Sequence, residues 1–206
     1  MAAMIIHLLP EGYLETCVGG KLITACGHTL GTIYGSGRGY VYVRKLAAKL
    51  HPLATATSGV LILTDYRDSG APCAPAALRE YVLGSVPKPL PTFLCRFAVN
   101  ELESWLMADR EGLARYFSVS VSRLPREPEK ETDPKQTLVN IARHSHKTRI
   151  KEGVAPPGGH LAKVGPEYSS LMREYIFNHW DIEAAAACAP SLDRCLRRLR
   201  ELSRGL

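Results

Sequence analysis

The sequence predicts an α/β protein: a mostly parallel sheet flanked by helices, followed by a helical C-terminal extension. Three observations predict it. Apolar runs of strand length alternate with helix-length segments through residue 98, the order that parallel sheets require. The strongest of these runs, Val60 to Thr64 within GVLILTDYRDSG (residues 59–70), is almost purely apolar, as a strand buried on both faces must be. Beyond residue 98 strand signals give way to helical spacing and proline-punctuated connectors. The expected organisation is a core over residues 1–98 and a mainly helical extension over 99–206 packed on it.

Met4 to Leu9 has the length and apolar density of a first buried strand, and Pro10 ends it because proline cannot donate to the ladder. Leu14 to Cys26 fits a helix that Gly19-Gly20 weaken. Thr32 to Tyr34 is a short strand entering the loop GSGRG (35–39), and Val43 to Leu50 has helical spacing with Arg44, Lys45 and Lys49 outside. The strand at 60–64 follows, then a helix over 75–83 and a strand over 92–97. In the second half, NELESWLMADREGLARYF (100–117) predicts a helical region broken near Asp109. Residues 125–136 read as a polar connector, Thr137 to His146 as a helix, 155–168 as a Gly/Pro loop with His160 and Lys163, and Tyr168 to Trp180 as a helix. A last helix is expected from Ser191 as N-cap, with Leu192, Leu196 and Leu199 on one face. Trp105 and Trp180 fit apolar helix faces and core positions.

The 206 residues are enough to bury a proper core, and 46% apolar with 22% charged residues is ordinary for a globular chain. No apolar run reaches the roughly 18–20 residues that span a bilayer, and no basic-then-apolar leader precedes a cleavage site, so a cytoplasmic, non-membrane protein is expected. The six cysteines (17, 26, 73, 95, 188, 195) form no C-x-x-C pair, which argues for reduced, structural thiols. The nearest thing to a zinc couple, Cys26-Gly27-His28, has no second pair to complete it.

The net charge of +6 admits a polyanionic partner. The placement of acids says more. Residues 1–95 carry only Glu11, Glu15, Asp65, Asp68 and Glu80, and four of them fall in two tight pairs, Glu11/Glu15 and Asp65/Asp68. In an α/β sheet ligands bind beyond the carboxyl ends of the strands. Glu11 and Asp65 follow two such ends, so neighbouring strands would bring their carboxylates to one rim. Hard divalent cations take oxygen ligands and keep several waters, and the chemistry such a rim favours is phosphoryl transfer or phosphodiester cleavage. The plainer reading is that each pair solvates a turn.

These residues also carry a resemblance. Glu11-Gly12 with Glu15, Leu63-Thr64-Asp65, and PCAP (72–75) resemble a TOPRIM domain, the fold found in topoisomerases, primases and OLD-type nucleases. The block RFAVNELESWLMADREGLARYF (96–117), Asp133-Pro134-Lys135, LVNIARHS (138–145), VGPEYSSLM (164–172) and the closing SLDRCLRRL extend it over nearly the whole chain. They make it similar to the TOPRIM-like domain-of-unknown-function family numbered 4276. The resemblance implies a TOPRIM-like (Rossmann-like) core holding Mg²⁺ or Mn²⁺. In it Glu11 is metal ligand or general acid/base, Asp65 is the first aspartate of a D-x-D motif, and Asp68 is an auxiliary ligand. The second aspartate belongs at 67, where this chain has Arg67 with Asp68 beside it. Either a turn lets Asp68 reach the ion, or Arg67 puts a cation in its place. Glu101 and Glu103 match a later acidic motif for a second metal; on a helix they stand about 200° apart, so only one would face a given site. OLD-type systems further imply an AAA- or ABC-type ATPase partner and a role in phage defence.

The GSGRG loop lacks the full glycine patterns of phosphate-binding loops and reads as a turn, though Arg38 and the following Arg44 and Lys45 are placed to touch a nucleic-acid backbone. Arg143, Lys147, Arg149 and Lys151, in a stretch with two histidines and no acid, suit sequence-independent phosphate contacts or simply a solvated face. Lys163 and His160 are further substrate-side candidates. Three functions are therefore expected in turn: a metal-dependent nuclease, a non-catalytic nucleic-acid- or ATPase-binding module whose metal motif has degenerated, and a subunit that binds only protein.

Overall fold

A computed structural model of the chain describes residues 3–67, 70–71, 73–79, 89–158 and 161–202. These divide into two compact units, one of residues 1–99 with 193–206 and one of residues 100–192.

The first unit is a four-stranded, all-parallel sheet flanked by helices, the Rossmann-like arrangement that alternating strands and helices predict. Its elements run β1 (Ile5–Pro10), α1 (Tyr13–Ala25), β2 (Thr29–Ile33), α2 (Gly39–Ala47), a 3₁₀ segment (Ala48–Leu53), β3 (Ser58–Asp65), α3 (Ala74–Leu78) and β4 (Phe93–Ala98). The strand order is β2-β1-β3-β4. The chain thus moves outward from β1 to β2, then crosses back to lay β3 on β1's other side. Such a reversal requires crossovers on opposite faces. Leu8 faces α1, where its methyls lie 2.8 Å from the place a Cβ on Gly19 would occupy. Leu9 faces the other way, into a cluster with Val43 and Ala47 of α2, Leu50, Val60, Ile62, Phe93, Cys95 and Phe97. Register pairs Pro10 with Leu63 and Asp65 with Ala98, so β1, β3 and β4 end close together.

The second unit is helical: α4 (Glu103–Ala108), α5 (Arg110–Phe117), α6 (Pro134–Ala142), α7 (Thr148–Val154), α8 (Tyr168–Asn178), α9 (Ile182–Cys188) and the start of α10 (Pro190–Leu202). Asp109 makes the break expected inside 100–117. Its Oδ1 accepts from the Gly112 amide at 2.9 Å and caps α5, while Oδ2 accepts from the Tyr175 hydroxyl at 3.0 Å and the Asp181 amide at 2.9 Å. Trp105 and Trp180 are buried, Trp180 Nε1 donating to the Trp105 carbonyl.

Several boundaries differ from the expectation, each for a local reason. α6 opens at Pro134, not Thr137, because Asp133 caps it through the Gln136 amide and proline suits the first helical position. The last helix opens at Pro190. Ser191 is not its cap: the Ser191 hydroxyl donates to Glu129 Oε1 and accepts from Trp105 Nε1. α9 was not expected; Asp181 caps it through the Glu183 and Ala184 amides. Glu101 lies ahead of α4 rather than on it. Part of the helix expected over 75–83 lies outside the described residues, as do Asp68 and His160.

All six cysteines are free thiols. The Cys26/His28 couple has an internal use: His28 Nδ1 accepts from the Met4 amide, so Nε2 carries the proton and donates to the Leu199 carbonyl at 2.9 Å. Among the described residues no helix is long and apolar enough to cross a membrane.

Candidate functional site

The strand order reverses between β1 and β3, and the carboxyl ends of those strands carry Glu11 and Asp65. This is the position where open parallel sheets hold their ligands. The sequence puts an acid there by a simple device. Pro10 closes β1 as its last residue, and the Glu11 amide makes one further bond across to the Leu63 carbonyl at 3.0 Å. That bond holds Glu11 against the end of β3. Its carboxylate then turns onto β3: Oε2 accepts from the Thr64 hydroxyl and from the Asp65 amide at 3.2 Å.

Glu11 and Asp65 are 9% and 8% exposed. Burying a carboxylate is costly unless donors meet it, and Thr64, itself fully buried, is one such donor for Glu11. Thr64 was not among the expected site residues. The signal was a hydroxyl residue ending an otherwise aliphatic strand, where alternation alone gives it no partner. Glu15, also buried, lies in the first turn of α1 with its Oε2 2.5 Å from where a Cβ on Gly12 would stand. A carboxylate there complements the positive end of the helix.

The GSGRG loop is a turn built onto this rim. The Gly39 amide donates to the Glu11 carbonyl at 3.0 Å, and the Arg38 amide to the Gly35 carbonyl at 3.1 Å, so neither amide points outward to cradle a phosphate. The Ser36 and Thr16 hydroxyls are 2.7 Å apart. Arg67 is exposed just beyond β3.

The remaining candidates lie in the second unit. The Glu103 carboxylate is buried, accepting from the Tyr168 hydroxyl at 2.6 Å and pairing with Lys135 Nζ at 3.4 Å, while Glu101 Oε2 accepts from the Lys135 amide at 3.0 Å. Both acids meet Lys135 because Glu101 precedes the helix, which removes the angular separation expected of them. Arg143, Lys147, Arg149, Lys151 and Lys163 are exposed. Two of these are engaged: Lys147 Nζ donates to the Tyr116 carbonyl at 2.8 Å, and Arg149 pairs with Glu174 at 3.0 Å and Glu167 at 3.8 Å.

The donor set bears on whether a metal fits. Among the described residues no three His, Cys, Asp or Glu side chains gather closely enough to hold an ion together. Mg²⁺ is nonetheless commonly bound through one or two carboxylates with waters completing its shell, and ligating carboxylates usually accept second hydrogen bonds as Glu11 does. Glu11 and Asp65 therefore suit a hard divalent ion. Comparison with protein-family models, with curated proteins and with solved structures gives no match.

Proposed function

We propose that this protein is a divalent-metal-dependent phosphodiesterase of TOPRIM-like type acting on nucleic acid. One observation carries the reading: two buried acidic residues, Glu11 and Asp65, stand at the carboxyl ends of the two strands between which the sheet order reverses, and the Asp65 amide donates to Glu11 Oε2. Mg²⁺ or Mn²⁺ held by Glu11 and Asp65 would supply charge stabilisation at the phosphoryl oxygens. The chain's own groups supply the rest. Hydrolysis breaks one P–O ester bond, joins the water oxygen to phosphorus and delivers a proton to the leaving oxygen. Glu11, oriented by Thr64 and the Asp65 amide, is the group to take the water's proton. Asp65, at the end of a strand buried from Gly59 onward and paired in register with Ala98 of β4, contributes a second carboxylate.

Arg67 favours a second reading, a nucleic-acid-binding module whose metal motif has lost an acid. The two separate cleanly. With Mn²⁺ the purified protein should cleave single- or double-stranded DNA or RNA, and Glu11→Gln or Asp65→Asn should lower the rate at least a hundredfold while the far-ultraviolet circular dichroism is kept. Cleavage that survives Glu11→Ala sinks the catalytic reading. No heat of binding with millimolar Mg²⁺, together with retained oligonucleotide affinity, establishes the binding module instead.

A further inference from the structure

We propose that the hollow at the C-terminal end of α5 binds a small zwitterion, a free α-amino acid with an aliphatic side chain. The hollow lies wholly in the second unit, and its use does not depend on the phosphodiesterase reading.

The hollow has a volume of about 440 Å³, toward the small end of the range of small-molecule sites, about 300–1,000 Å³. Its shape is built. Ser118 ends α5 in the left-handed conformation (φ 54°, ψ 53°), and the Val119 amide turns back to the Ala114 carbonyl at 3.0 Å. Arg110 Nη2 donates to the Val121 and Leu124 carbonyls at 3.2 and 3.3 Å, which holds the 3₁₀ turn Val121–Arg123 against α5. Ahead of α7, the Ser145 hydroxyl donates to the Phe117 carbonyl and the His146 amide to the Ser118 carbonyl, the latter at 3.3 Å. Three separate stretches of chain thus meet at one helix end. Buried Ala114 and half-buried Val119 and Val121 give the hollow an apolar lining.

Two opposite charges complete the lining. Glu111 and Arg115 stand at i and i+4 on α5, so they share one face, with the acid on the N-terminal side, the order in which such pairs form best. Asp193 and Arg197, at the same spacing on α10, do pair, at 3.0 Å. Glu111 and Arg115 do not: among the described residues neither makes a hydrogen bond or an ion pair, and both are exposed. At one hollow the two select by sign. A plain anion meets the Glu111 carboxylate and a plain cation meets the Arg115 guanidinium, so a ligand carrying both charges close together is the one that satisfies both. The guanidinium fork suits a planar carboxylate, and the Glu111 carboxylate suits an ammonium. An α-amino acid carries these groups on one carbon, and its side chain is left to lie on Ala114, Val119 and Val121. Ser118 and His146 add a hydroxyl and an imidazole to the same lining.

An NMR titration of the isotope-labelled full chain with leucine, isoleucine and valine tests this. The Ala114, Ser118 and Val119 amides should shift and saturate, at millimolar ligand or below. Leucine amide, which lacks the carboxylate, and N-acetyl-leucine, which lacks the ammonium, should each bind about tenfold more weakly, the loss of one hydrogen bond to a charged group. Glu111→Gln and Arg115→Gln should each weaken leucine by about tenfold as well, with the far-ultraviolet circular dichroism kept because both side chains are exposed. Lys151→Gln, exposed and outside the lining, should leave the affinity unchanged. No saturable shift at these amides with any of the three amino acids overturns the proposal. So does equal affinity for the amide and acetylated forms, or leucine binding untouched by both α5 variants. None of these outcomes depends on phosphodiester cleavage, so the failure of one reading leaves the other standing.

Discussion

Glu11 sits where it does because of three neighbours, and each could be read from the sequence only in part. Pro10 closes the strand, which was legible from proline's missing donor. The Leu63 carbonyl and the Thr64 hydroxyl belong to β3, some fifty residues on, and no local pattern pairs them with Glu11. Thr64 is the informative test of that arrangement. Thr64→Val keeps the shape and removes the donor to Glu11 Oε2. On the proposed function it should weaken Mn²⁺ binding by about tenfold, as loss of a group that orients a ligand does, with the thermal midpoint nearly kept. An unchanged calorimetric affinity would mean that Thr64 does not orient Glu11 for an ion.

At the scale of elements, two buried polar or small residues decide how helices meet their neighbours. Asp109 serves α5, α8 and the turn into α9 with one carboxylate. Burial, together with Asp109, pushes the Tyr175 hydroxyl well above the usual tyrosine range, which keeps it protonated and donating. Asp109→Ala leaves the Gly112 and Asp181 amides without their side-chain acceptor, while the Tyr175 hydroxyl keeps the Leu106 and Asp109 carbonyls at 3.3 and 3.4 Å. At about 1–2 kcal/mol for each amide, it should cost roughly 2–4 kcal/mol in urea unfolding, whereas Asp109→Asn, which keeps one carbonyl oxygen, should cost less. Equal losses in the two variants would show that the carboxylate's hydrogen bonds are not what holds these helices. Gly19 makes the complementary point. Its helix propensity is poor, so the sequence counted it against α1. It is tolerated because α1 comes close enough to β1 for Leu8 to fill the space a side chain would take. Asp133-Pro134 and Asp181 start α6 and α9 by cap chemistry, a signal that apolar spacing does not carry.

At the scale of the molecule, the first unit buries two thiols whose protons report on the integrity of its core. Burial raises Cys95, on β4, and Cys195, on α10, to about 12 from an ordinary 9.0, with Arg96 pulling each slightly back. Unfolded, these thiols ionise from about pH 9; folded, they hold their protons until about pH 12. The native state therefore binds more protons in that window. The contribution is complete below pH 9 and is lost as pH rises toward 12. The denaturation midpoint should fall between pH 9 and 10.5, and fall less steeply in Cys95→Ala/Cys195→Ala. A parallel fall in wild type and double variant would assign the effect to other groups. In iodoacetamide at pH 8, the exposed Cys73 and Cys188 should react well before these two.

What the sequence determined by itself was the class of the fold and the existence of an acidic rim. Strand-length apolar runs alternating with helices leave few solutions other than a parallel sheet, and acids that are scarce and paired after two strand ends mark where that sheet meets solvent. Only the tertiary structure decided which strands are neighbours, and so that Glu11 and Asp65 share one rim with Thr64 beneath them. It also decided that Glu101 and Glu103 both meet Lys135, and that Arg149 is paired with Glu174 and Glu167. The reason is physical. Periodicity, propensity and capping act over a few residues and are written in adjacent letters. Hydrogen bonds to buried carboxylates, and the cancellation of one charge by another, depend on groups far apart in the chain that only the folded backbone brings within three or four ångströms.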